Sequence, residues 1–255
     1  MNISIKLLRQ ASWLAMLSVV VAGGTGCATS GRYVLLKEYG PSVPANPDSP
    51  LKGKIISVNN FQCAPSLTSE SPKTEPEQPP QFAFLQFTEA QSKAWDQEFR
   101  ALKKRGNKAE WREIGNIRNG LGMVMSHVHA LNDPGMWLAE TLKMDLEHQG
   151  AKVVGPSESD SADVCLSGTI QFCRVDIYMK IWGDLVVDLD LKPRNASNSR
   201  TRLHTEGGTT AWVGSTAEFY KPLRESRQKF SWLASREIIK ALSQPVATGS
   251  ATAGH

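Results

Sequence analysis

Apolar and polar residues alternate over two stretches in the second half of the chain. Val164, Leu166, Ile170 and Phe172 fall on one parity, and Ser167, Thr169 and Gln171 on the other. The rhythm returns at Leu185, Val187, Leu189 and Leu191, set against Asp184, Asp188 and Asp190. A period of two marks a strand with one buried face. Arg202–Glu206 reads as a further strand after an Asn195-containing turn. Three such strands joined by short turns predict an antiparallel meander with one wet face, on which the three aspartates stand in solvent.

Other stretches carry the helical rhythm. Asp133-Pro134 supplies an N-cap and a first-turn proline, Leu138, Ala139, Leu142 and Leu146 form the stripe, and Gly150 closes it. Asp145 is the one polar interruption of that stripe. Thr88 and Gln91 form a capping box for a helix to Lys104, with Trp95 and Phe99 on a narrow apolar stripe. Ser215 and Glu218 cap a long final helix striped by Phe219, Leu223, Phe230, Leu233, Ile238 and Leu242, whose start Pro222 is expected to delay by a turn. Shorter apolar runs at 54–61, 82–87 and 152–155 predict three more strands. The expected fold class is α+β: a mainly antiparallel sheet with two or more helices packed on one face, preceded by a signal peptide and a flexible tether.

The first 26 residues differ in kind. Lys6 and Arg9 precede an uncharged apolar run, Ser12–Ala22, followed by Gly23-Gly24-Thr25-Gly26 and then Cys27. Eleven residues of helix rise about 16 Å, short of the ~30 Å hydrocarbon core of a bilayer. This is the layout of a secretory signal. With a cysteine at the stop it resembles a bacterial lipoprotein signal, and the resemblance implies that Cys27 is lipidated and becomes the mature N-terminus. Ala28 follows Cys27, with no Asp at the second mature position, which by resemblance to the envelope sorting rule implies the outer membrane, facing the periplasm. The expected organisation is a signal peptide over 1–26, a Pro-rich tether over 27–51, one domain over 52–243 with a disordered insert at about 64–80, and a disordered tail over 244–255.

Composition narrows the choice of partners. The formal charge of +4 falls to +2 when Lys6 and Arg9 leave with the signal, and the densest basic cluster is Lys103-Lys104-Arg105. No nucleic-acid footprint results. Besides Cys27 there are Cys63, Cys165 and Cys173, so at most one internal disulfide is possible, and no CxxC spacing suggests a metal or haem.

Candidate chemistry is thin. Arg118 and Asn119, beside Gly120 and Gly122, would suit a carboxylate or phosphate ligand, although no phosphate-loop motif is present. His127 and His129 share a strand face, and a metal there would need a third ligand from distant His148 or His204; ordinary polar histidines are the plainer reading. The aspartates at 184, 188 and 190 share one strand face, where paired carboxylates could do acid–base work or hold Ca²⁺, although a solvated outer face accounts for them without either. Among seven tryptophans, Trp182 and Trp212 fall where an exposed aromatic patch could meet a partner. No cofactor and no metal are expected.

Ile114-Gly-Asn-Ile-Arg-Asn-Gly-Leu-Gly-Met123, the Trp137-bearing helix, Gly150-Ala-Lys-Val-Val154 and Leu166-Ser-Gly-Thr-Ile170 resemble the YajG-like bacterial lipoproteins. The likeness runs over about 52–243, apart from an insertion at 62–110. Phe61-Gln-Cys-Ala-Pro65 stands where members carry an F-x-D-x-R stretch. The resemblance implies a small α+β envelope domain and no reaction. The expectation is therefore a non-catalytic, lipid-anchored envelope lipoprotein, an accessory or partner-binding protein with an envelope protein as its unknown partner. A small-ligand or glycan-binding module is the alternative, and an envelope hydrolase comes third.

Overall fold

The computed structural model describes residues 32–68, 74–79, 84–105, 111–178, 180–209 and 216–244. The signal peptide, Cys27, Trp212 and the Ser215 cap lie outside the described residues, as does the tail beyond Gln244.

One long strand, β7 (Val164–Tyr178), organises the sheet. Along one edge it pairs antiparallel with β8 (Lys180–Pro193), which pairs in turn with β9 (Ser199–Thr209). This is the expected meander. Its other edge takes three parallel strands laid end to end: β2 (Ile55–Val58), β3 (Gln62–Cys63) and β4 (Arg112–Arg118). Beyond β2 lies β6 (Lys152–Val154), parallel to it. Beyond β4 lies antiparallel β5 (Val124–Ala130), and β1 (Arg32–Val34) runs parallel to β5.

Five of these eight pairings are parallel, so the sheet is mixed rather than mainly antiparallel. Long connections are the physical reason. The chain leaves β3 through α1 (Glu89–Arg105) and returns in β4 running the same way, as a connection of that length allows, while α2 (Pro134–His148) carries it from β5 across the sheet to β6, which runs parallel to β2. The 111–130 segment forms the β4–β5 hairpin. No strand forms over the described part of 82–87.

Leu185, Val187, Leu189 and Leu191 are buried as the alternation predicts, beneath α3 (Thr216–Leu242). Pro222 lies inside α3, not before it, because the sheet leaves room there. A Cβ on Gly207 would stand 2.1 Å from the Pro222 carbonyl oxygen, and one on Gly183 would stand 2.5 Å from the Leu223 nitrogen. Around α3 gather α2, with its Asp133 cap donated to by Met136 N–H, and α1, whose Trp95 stacks on Tyr220 at 5.8 Å.

The expected tether is part of the domain over 32–51. Val34, Leu35, Leu36, Val43 and Leu51 are buried. Asn132 exchanges both its amide hydrogen bonds with the Leu36 backbone, and Trp95 Nε1–H donates to the Leu35 carbonyl. Prolines forbid regular structure in this stretch without forbidding packing. Parts of the expected insert are also docked: Leu67 is buried and Glu77 N–H donates to the His204 carbonyl, while 69–73 lie outside the described residues.

A buried ion network joins these parts. Glu38 accepts from Arg224 Nε at 2.9 Å and from Tyr220 Oη–H at 2.7 Å. Arg227 donates to Asp145 at 2.6 Å and lies 3.5 Å from Glu38. Ser42 donates both its N–H and its hydroxyl to Asp145. Removing one charge of such a set strands its partner out of water. Arg227→Met is therefore expected to cost about 3–5 kcal/mol in urea denaturation, and Arg227→Met with Asp145→Leu to recover part of that loss.

Candidate functional site

At one end of the sheet the β4–β5 hairpin closes in a tight tip. Asn119 N–H donates to the Met123 carbonyl at 3.0 Å and Gly122 N–H to the Asn119 carbonyl at 2.9 Å. The Asn119 side-chain oxygen accepts from the N–H groups of Leu121 and Met123, each at 3.0 Å. Gly122 takes φ 82°, a conformation costly for any residue with a Cβ. With its polar groups turned inward, the tip presents apolar side chains. Leu121 is 83% exposed, and Met123, Val124 and Met125 are exposed beside it.

The neighbouring strand ends extend this surface. The β4–β7 register sets Ile117 opposite Ile177, so the tip stands beside the end of β7. Tyr178 is exposed there and its hydroxyl donates to the Gly120 carbonyl at 3.4 Å. Trp182, opposite Asp176 on β8, is 41% exposed, with Lys180 Nζ 5.5 Å from the centre of its ring. Isolated exposed apolar residues are ordinary, but here six of them gather toward one end of the sheet.

Arg118 and Asn119 do not form a ligand clamp. Arg118 holds Asp176 with two contacts, at 3.2 and 3.0 Å, and Asn119 is consumed in closing the turn. Trp182 does reach the surface, as expected. Leu121, Met123, Val124 and Met125 were not singled out from the sequence, although four apolar residues beside Asn119-Gly120 were a usable signal.

The aspartates of β8 are not a solvated row. Asp188 is buried and accepts from Arg202 Nε and Nη2 at 2.6 and 2.9 Å, with Arg200 and Gln171 each at 3.0 Å. The Arg202 guanidinium holds its carboxyl below the usual range. Asp184 is buried with a weaker partner, Arg174 at 3.5 Å, and burial pushes its carboxyl up to about 6. It faces His204 and Glu206, with ligand-type atoms of all three within 4.8 Å of one another. The β8–β9 register, which no local sequence pattern shows, is what unites the aspartate with the histidine. His127 instead pairs with Glu113 at 3.0 Å. Cys63, Cys165 and Cys173 are free thiols.

Among the described residues, no helix is long and apolar enough to cross a membrane. The chain enters the sheet at Arg32, opposite Val128 and parallel to β5. It therefore comes in from the end at which Val124 leaves the hairpin.

No family model and no curated protein matches this sequence. Among solved structures, this chain is similar to protein XCC0632 from Xanthomonas campestris, of the DUF330 family. The TM-score is 0.49 at 10% identity, covering 82% of this chain and 95% of that one. A second, uncharacterised protein gives 0.44 at 12% identity over 82% and 99% of the two chains. The hypothetical protein CT253 from Chlamydia trachomatis gives 0.29 at 8% over 75% and 98%. These likenesses do not confirm the YajG-like resemblance and carry no functional argument.

The tip's apolar side chains should contribute little to folding. Leu121→Ser with Met123→Ser is expected to move the unfolding free energy by less than about 0.5 kcal/mol. Asn119→Ala, which leaves two backbone N–H groups without their acceptor, is expected to cost about 1 kcal/mol on the same denaturation curve.

Proposed function

We propose that this chain is a lipid-anchored cell-envelope protein of non-catalytic type. It is held at the outer membrane through Cys27 and binds an envelope protein partner through the apolar end formed by Leu121, Met123, Val124, Met125, Tyr178 and Trp182. The observation that carries the reading is the shared end of the sheet: the hairpin tip lies toward the end from which the chain enters at Arg32. Five peptide steps separate Cys27 from Arg32, a reach of at most about 18 Å. Along β5, Val124 stands four residues from Val128, about 13 Å. A lipid on Cys27 would therefore keep the apolar end close to the membrane surface, where a membrane-embedded partner presents itself. Two methionines suit such a contact, because unbranched thioether side chains adapt to a partner's shape.

Mass spectrometry of the Cys27 peptide from separated inner and outer membranes tests the anchor. An acylated Cys27 in the outer-membrane fraction is expected, together with release of Cys27→Ser from the membrane. An unmodified Cys27 in a soluble fraction removes the reading. The docking end is tested in cells by a photo-crosslinking amino acid at position 123. A discrete protein adduct is expected that Leu121→Asp abolishes. If position 152, on β6, gives the same adduct, or position 123 gives none, the end is not a docking surface.

A further inference from the structure

A second constellation lies on the opposite face of β8 and β9 from α3. Asp184 and Glu206 are direct cross-strand partners, and His204 stands two residues along β9 on the same face. The His204 ring is held from behind. A backbone carbonyl can only accept, so the contact of Nδ1 with the Thr74 carbonyl places a proton on Nδ1. The backbone of the same segment is pinned independently by Glu77 N–H on the His204 carbonyl, at 2.8 Å.

The other ring nitrogen, Nε2, has no hydrogen-bond partner among the described residues, in a side chain only 4% exposed. It faces Glu206, whose nearer carboxylate oxygen is 4.0 Å away. A proton on Nε2 would find that oxygen beyond hydrogen-bond reach. The cation nearest Asp184 is Arg174, at a long 3.5 Å and set over the Phe172 ring. Among the described residues, one imidazole lone pair and two carboxylates thus converge with no donor to them beyond the long Arg174 contact.

We propose that Asp184, His204 and Glu206 bind a divalent transition-metal ion of the zinc type, His204 through Nε2 and each carboxylate through one oxygen. Bond lengths of about 2.0–2.2 Å put tetrahedral ligand atoms ~3.4 Å apart. The three groups need only close inward from their present separations, which rotation of the two carboxylates supplies. The Thr74 carbonyl plays the part that a hydrogen-bond acceptor behind a ligating histidine generally plays, fixing tautomer and ring orientation. Imidazole with two carboxylates favours zinc or its neighbours over magnesium or calcium, which take oxygen ligands. Three protein ligands leave a fourth position for water or for a group from outside the chain. None of this depends on lipidation of Cys27 or on the apolar end.

The test is isothermal titration of the metal-free full chain, in detergent, with zinc chloride in a non-chelating buffer. One ion per chain is expected, with affinity falling at least tenfold in His204→Ala and in Glu206→Gln and unchanged in His127→Ala. Cobalt(II) in place of zinc should give a tetrahedral visible absorption that His204→Ala removes. Should His204→Ala fail to fold by circular dichroism, Glu206→Gln decides alone. The proposal is overturned by the absence of saturable one-to-one uptake, by uptake unaffected in the site variants, or by uptake lost in His127→Ala instead.

Discussion

Two carboxylates and two guanidiniums share a volume from which water is excluded, and most of the architecture is arranged around keeping them together. Glu38 comes from the N-terminal segment, Asp145 from α2, and Arg224 and Arg227 from α3. Left uncompensated, each would impose a desolvation cost of several kcal/mol. Together they balance in charge and form a geometric lock that tolerates little sliding of one element past another. Tyr220 extends the lock through its hydroxyl to Glu38 and Trp137, and through its ring to Trp95. Helices α1, α2 and α3 and the segment around Glu38 thereby meet at one residue.

The same network explains why one polar position breaks the α2 stripe. Asp145 is fully buried, and it sits where the periodicity asks for an apolar side chain because Arg227 arrives from the facing helix. Alternation and capping were enough to read the β7–β8–β9 meander and the three helices from the sequence, because those signals are local. The parallel half of the sheet was not legible. β2 and β3 are too short to display a period, and β1 lies in a Pro-rich stretch whose composition looks like a linker. What converts that stretch into part of the core is a set of contacts with residues about a hundred or more positions away, such as Ser42 with Asp145 and Glu38 with Arg224. No window of sequence contains them.

The functional surfaces divide along the same line. Arg118 and Asn119 attracted notice as ligand-binding types, yet each is spent on local structure: one on Asp176, the other on its own turn. The apolar tip was readable in principle, since a turn flanked by Leu121, Met123, Val124 and Met125 contradicts the polar composition expected of a turn. The grouping of Asp184 with His204 and Glu206 was not. It requires the β8–β9 register, and a slip of one residue would put His204 on the opposite face.

The arrangement of β7 has a bearing on how the chain folds. Strands β2, β3 and β4 all dock along an edge made by residues 164–178, and β2 precedes that edge by more than a hundred positions. Closing loops of such length costs chain entropy before any pairing compensates it, and high sequence separation slows the search. The first half of the polypeptide must therefore wait, with β2 and β3 unpaired, until β7 is available to receive them. Glu38 waits longer still, since its arginines lie in the last helix. Folding should thus be a late, cooperative event for the whole domain, not a progressive one from the N-terminus, and a chain truncated before α3 should remain a substrate for chaperones and proteases.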